Sequence, residues 1–135
     1  LLKISRPPSA VKFRPAEVVI VENCKLTCFI LNALLKEVDT LVFESSDEAL
    51  DYLLWCKRNG HPPKGMITDN SLEGCLATAV DLAKFVSEQR LQTKVMLSSG
   101  NQIDLLNSQT GLFNTILVKP FSKEFIEPFL SSLER

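Results

Sequence analysis

A handful of residues in this 135-residue chain stand where chemistry could be done, each just past a short apolar run. Glu22 and Asn23 follow Val18-Val19-Ile20-Val21, Asp69 follows Met66-Ile67-Thr68, Ser98 follows Lys94-Val95-Met96-Leu97, and Lys119 follows Thr115-Ile116-Leu117-Val118. Asp69 alone could be a turn cap, a common use of Asp. Its company argues for more. Two carboxylates, an amide, a hydroxyl and an ammonium suit a hard divalent cation beside a phosphoryl group. Mg²⁺ takes oxygen ligands, keeps several waters and needs only one or two protein carboxylates. Lys119 would pair with the anion, and Ser98 would donate a hydrogen bond to one of its oxygens.

These side chains meet only if the runs before them are neighbours in one sheet. A brief apolar run bounded by turn formers reads as a strand buried on both faces, as in a parallel sheet. Between the runs lie helical periods. From Cys24 to Val38 the residues Leu26, Phe29, Ile30, Ala33, Leu34 and Val38 recur at three- and four-residue steps, predicting a helix with that face inward. Leu41-Val42-Phe43 predicts a strand, and Ser45-Ser46-Asp47-Glu48 a capping box opening a helix over 46–58, stopped at Gly60. That helix should bury Ala49, Leu50, Leu53 and either Leu54 or Trp55. Further helices are predicted over 76–89 and 101–108. A last one should begin after Ser122 as cap, with Pro128 kinking or shortening it. Strand and helix alternate throughout, so the expected class is α/β, with a doubly wound five-stranded parallel sheet and helices on both faces. Ligands of such sheets bind beyond the carboxyl ends of the strands, where the polar residues fall.

Composition narrows the function. A formal net charge of −1 supplies neither the field for a phosphate backbone nor one for a membrane surface, so nucleic acid is not an expected partner. No run approaches the roughly 18 apolar residues of a membrane span. Cys24, Cys28, Cys56 and Cys75 form no CxxC pair and His61 is the single histidine. Buried reduced thiols are therefore expected, in place of a metal-thiolate cluster. Cys24 could either border the polar edge or pack in the core. His61, in Asn59-Gly60-His61-Pro62-Pro63, reads as a solvated loop residue. Residues 1–16, with Pro7, Pro8, Pro15 and four basic residues before the first acid at Glu17, read as a linker to a domain spanning 17–135.

The segments VVIVEN (18–23), ESSDEAL (44–50), PKGMITD (63–69), VMLSS (95–99) and ILVKPF (116–121), in this order and spacing, resemble the receiver domains of two-component response regulators and hybrid sensor kinases. The resemblance implies a flavodoxin-like sheet ordered 2-1-3-4-5. It makes Asp69 the acceptor of a phosphoryl group from the phosphohistidine of a histidine kinase or histidine phosphotransfer domain. Mg²⁺ would be held by Glu22, Asn23, Asp69 and the backbone carbonyl of Ser71. Ser98 and Lys119 would bind the phosphoryl group, and Ile116 occupies the switch position. It also implies a cytoplasmic setting, here behind another domain as in a hybrid kinase, and a partner face on the last two helices and fifth strand that could form a homodimer.

The chain departs from the pattern at Asn23, where an acid is usual, at Ile116, where an aromatic is common, and in the loop after Asp69, which lacks the usual proline. The alternative is therefore a degenerate receiver that binds proteins without being phosphorylated. A P-loop or flavin site lacks its glycine-rich segment after the first strand. An aspartyl phosphatase would carry a second Asp where this chain has Ser71.

Overall fold

The structure is a computed structural model that describes residues 12–69, 75–99, 110–119 and 122–133. Its strands are Val18–Val21 (β1), Thr40–Phe43 (β2), Gly65–Asp69 (β3), Lys94–Ser99 (β4) and Thr115–Val118 (β5). They pair in parallel in the order β2-β1-β3-β4-β5. The described helices are Lys25–Leu34 (α1), Ser46–Asn59 (α2), Ala79–Glu88 (α3) and Lys123–Ser132 (α4). The helix expected over 101–108 lies outside the described residues. Of the partner face expected on the last two helices and fifth strand, β5 and α4 are described.

Every residue of β1 and β3 is buried, as the unbroken apolar runs require of central strands covered on both faces. Val19, Val21, Phe43, Met66, Val95 and Leu97 face α2 and α3, meeting Tyr52, Leu53, Leu82 and Val86. Val18, Ile20, Ile67 and Met96 face the other way, onto Leu31 and Leu35 of the α1 region and Ile126 and Phe129 of α4. Gly65 is required by this second layer. A Cβ there would stand 3.0 Å from the Phe129 ring and 3.1 Å from Leu133, so α4 could not close on β3. Gly60 ends α2 in the left-handed region, at φ 71°.

Several local expectations are corrected. In α1 the buried positions are Leu31, followed by Leu35 and Val38 beyond its end, while Leu26 and Phe29 are 67% and 70% exposed. The helix is apolar on two faces, so spacing alone does not choose which one packs. Ser45 Oγ accepts from the amides of Asp47 and Glu48 as expected, but the carboxylate of Glu48 does not complete the box. Asp47 turns instead to the amides of Leu76 and Ala77, at 3.1 and 2.8 Å. Those residues are thereby held out of α3, which starts later than expected, behind a reciprocal capping box of Thr78 and Asp81. Tyr52, not among the expected core residues, is fully buried. The last helix runs through Pro128 to Ser132 without being shortened, with Pro128 on its exposed side. Ser122 sits at its N-cap without making a side-chain cap bond.

Of the segment expected as a linker, residues 12–16 are described, and Phe13 to Ala16 pack on the domain. The ring of Phe13 meets those of Tyr52, Phe43 and Trp55 edge-on, at 5.4, 5.9 and 6.2 Å. Arg14 reaches both oxygens of Asp39 at 2.9 Å, and its carbonyl accepts the Tyr52 hydroxyl. Burial pushes the Tyr52 hydroxyl well above its ordinary pKa, so it remains a donor. We expect Phe13→Ala to cost about 2 kcal/mol, from lost burial and edge-to-face contact of a half-buried ring. Urea unfolding followed by the fluorescence of Trp55, the single tryptophan, measures it. An unchanged midpoint would mean that the ring contributes nothing.

Candidate functional site

The register of the central strands builds the polar edge. Val21 of β1 pairs with Thr68 of β3, which sets the next residues, Glu22 and Asp69, side by side. Asp69 in turn pairs with Ser98 of β4. Lys119 follows β5, whose Val118 pairs with Ser99, and the Lys119 amide donates to the Ser99 carbonyl at 2.7 Å. Its side chain reaches back across the strand ends. The ammonium lies 2.7 Å from Glu22 Oε1 and 3.3 Å from Asp69 Oδ1.

Charge explains why the arrangement holds. Glu22 is 1% exposed and Asp69 7%, and a buried carboxylate without a partner costs several kcal/mol. Glu22 is answered on both oxygens, since Oε2 accepts the Cys24 amide at 3.1 Å at the start of α1. For Lys119, burial works against the ammonium, but its bonds to Glu22 and Asp69 outweigh that and raise its pKa above the ordinary 10.5. One ammonium against two carboxylates leaves the edge with a net negative charge.

The structure thus brings Glu22, Asp69 and Lys119 together, with Ser98 beside them. Ser98 is buried, and its hydroxyl makes a long bond of 3.5 Å to the Thr68 carbonyl. So weak a bond costs little to exchange for another acceptor. Asn23 is exposed at the same edge. Ser71 lies outside the described residues, and of Ile116 only the backbone, within β5, is described. Among the described residues no three His, Cys, Asp or Glu side chains gather into a metal-holding cluster. His61 is exposed in the turn after α2, on a cleft with Pro15, Asp39 and Lys64 at the amino ends of the strands. A 610 Å³ cleft lined by Pro63, Lys64, Thr93, Lys94 and Asn114 lies at that end too, away from the carboxylates.

Sequence reasoning missed how Cys24 and Cys28 attach to Glu22. Of the two positions open to Cys24, the structure shows the one at the polar edge: the residue is exposed, and its amide holds the Glu22 carboxylate. The Cys28 thiol, half-buried, donates to the Glu22 carbonyl at 3.5 Å. The one-turn spacing of the two was visible, but the reach of the Glu22 carboxylate to the Cys24 amide was not. Cys56 is buried as expected, and all four thiols are free.

The sequence matches no protein-family model and no curated protein. Its fold matches many solved structures, and those described as receiver domains recur among them. A CheY-like response regulator receiver domain from Methylobacillus flagellatus is 22% identical, with a TM-score of 0.67 over 90% of this chain and 100% of that one. A sensor protein from Polaromonas sp. is 23% identical, with a TM-score of 0.69 over 89% and 95%. A response regulator from Thermotoga maritima, in complex with Mg²⁺ and BeF, is 16% identical, with a TM-score of 0.70 over 87% and 97%. The chain therefore has the flavodoxin-like fold of receiver domains. No helix among the described residues is long and apolar enough to cross a membrane.

Lys119→Met leaves Glu22 buried without its cation and should destabilise the fold by about 3 kcal/mol. Adding Glu22→Gln should recover about half of that loss, because the neutral amide no longer needs the ammonium. The pH dependence has a fixed sign. A pKa raised on folding contributes stability that is complete below 10.5 and is lost as pH climbs through the higher folded value. Urea midpoints of the three proteins at neutral and strongly alkaline pH check both points. Equal midpoints for wild type and Lys119→Met would remove the ion pair from the account.

Proposed function

We propose that the domain is a phosphoryl-accepting receiver, in which Asp69 takes a phosphoryl group from the phosphohistidine of a partner kinase or histidine phosphotransfer domain. The observation that carries the reading is the convergence of Lys119 on Glu22 and Asp69, at 2.7 and 3.3 Å, beside Ser98. An Asp69 carboxylate oxygen attacks phosphorus, the P–O bond forms as the P–N bond to imidazole breaks, and the freed imidazole nitrogen takes up a proton. Lys119 then exchanges part of its contact with the carboxylates for the phosphoryl oxygens, and Ser98 turns its hydroxyl from Thr68 to the same group.

The residues present fit Mg²⁺ as a modest site. Glu22 and Asp69 already direct oxygens at one cation, the Lys119 ammonium, and Asn23 adds a neutral oxygen at the same edge. Glu22, Asn23, Asp69 and the Ser71 carbonyl would hold the ion, which when bound offsets the repulsion between carboxylate and phosphoryl group. The Thermotoga receiver with Mg²⁺ and BeF supports this assignment.

The partner approaches over α1. Leu26 and Phe29 form a bare apolar patch on the helix that begins beside Glu22, so a docked helix would bring its histidine to Asp69. We also propose, from the sequence resemblance, a setting within a cytoplasmic hybrid kinase, with Ile116 at the switch position and a homodimer as one output. The domain body takes in Phe13 to Ala16.

A second reading, a degenerate receiver that binds partners without phosphorylation, draws on Asn23, on Ile116 and on the altered loop sequence after Asp69. Incubation with Mg²⁺ and acetyl phosphate separates the two. We expect the mass of one phosphoryl group to be gained, and lost in Asp69→Asn. No gain at saturating donor favours the second reading. Asn23→Asp restores a third carboxylate, worth roughly 4 kcal/mol at 4 Å before desolvation, and should tighten Mg²⁺ by about tenfold or more. Calorimetric titration reads this directly, and unchanged affinity would place Asn23 outside the metal's reach.

A further inference from the structure

We propose that Cys24 and Cys28 form an oxidisable thiol pair that controls Glu22, so that a hydroperoxide disarms the carboxyl edge of the sheet. The two residues lie one turn apart, joined by the bond from the Cys28 amide to the Cys24 carbonyl at 3.0 Å. Both grip Glu22: the Cys24 amide donates to its carboxylate at 3.1 Å and the Cys28 thiol to its carbonyl at 3.5 Å. Cys24 is exposed and takes a reagent from solvent, whereas Cys28 is half-buried. Helical side chains lean toward the preceding turn, and the Cys28 sulfur accordingly lies on the Glu22 carbonyl, two residues before Cys24. Cys24 is the N-cap, with extended backbone at φ −82° and ψ 116° and no side-chain cap bond.

The chemistry balances with the peroxide as sole oxidant. The Cys24 sulfur attacks the O–O bond, an S–O bond forms, and the thiol proton leaves on the departing oxygen as alcohol or water. The Cys28 sulfur then attacks the sulfenic sulfur, an S–S bond forms, the S–O bond breaks, and the oxygen leaves as water with the Cys28 proton. The two sulfurs are oxidised by two electrons, and the peroxide is reduced by two.

The product cannot keep the present geometry. Cβ atoms one helical turn apart stand about 5–6 Å from one another, and a disulfide needs roughly 3.5–4.5 Å. Closing that gap moves the backbone at Cys24 and draws its amide off Glu22 Oε2. The Cys28 bond to the Glu22 carbonyl disappears outright, since a disulfide has no S–H. Glu22 is then free to shift from Lys119, the contact on which the polar edge rests.

The test uses the full chain, treated with hydrogen peroxide and then with excess alkylating reagent. Intact mass should fall by about 2 Da before alkylation, as a disulfide forms. Lys25 lies between the two cysteines, so the tryptic peptides on either side should stay joined until reduced. Cys24→Ser and Cys28→Ser should each abolish the link. A link at Cys56 or Cys75, its persistence in Cys28→Ser, or only a mixed disulfide on Cys24 when glutathione is added would overturn the pair. The effect on phosphoryl capture rests on the reading of Asp69 above. Labelling by acetyl phosphate should drop about tenfold on oxidation, matching a lost charge-assisted bond, and should be spared in Cys28→Ser. A reduced protein that takes no label sinks the acceptor reading and leaves the disulfide result standing. A linked protein that labels normally sinks the control of Glu22 instead.

Discussion

The edge of this sheet depends on one ammonium. Glu22 is as buried as the valines before it, and a carboxylate in that position is tolerable only with a cation against it. Lys119 supplies the cation from the far side of the sheet, across β3 and β4, and meets Asp69 on the way. The ion pair therefore ties the first strand to the last. It also defines what the edge can offer a ligand: an ammonium to an anion, and carboxylate charge in excess of it to a cation.

That contact is possible because register and layering leave no freedom at the strand ends. Val21 opposite Thr68, and Asp69 opposite Ser98, put three strand termini at one level. The strands cannot slip by one residue without turning Val19 and Val21 out of one layer and Val18 and Ile20 out of the other. Gly65 contributes from the opposite end of β3, by letting Phe129 and Leu133 lie close enough for α4 to cover the sheet. Packing of ordinary aliphatic side chains thus positions the charged ones.

Much of this was legible from residue types. Apolar runs ending in polar residues gave the strands, their order in the chain gave the parallel sheet, and the termini named Glu22, Asn23, Asp69, Ser98 and Lys119. What was not legible had a common physical cause: hydrogen bonds whose partners are distant in sequence. Asp47 bonding Leu76 and Ala77 delays α3, and neither segment shows it alone. Thr78-x-x-Asp81, by contrast, is a capping box legible in the sequence itself. Phe13 sits in a proline-bearing basic stretch that reads as solvated, and only the cage of Phe43, Tyr52 and Trp55 makes it part of the body.

The first helix shows why such ambiguity can point to function. Lys25 is its sole charged residue, and apolar side chains line both of its sides. A helix of that kind is normally enclosed, yet here Leu31, with Leu35 beyond the helix end, suffices to hold one side to the sheet. Leu26 and Phe29 add nothing to the core and cost solubility, so the fold does not explain them. They lie on the first turns of the helix that begins beside Glu22. Under the proposed function, an apolar surface there would give a partner somewhere to dock without adding charge to a site whose electrostatic balance rests on a single lysine.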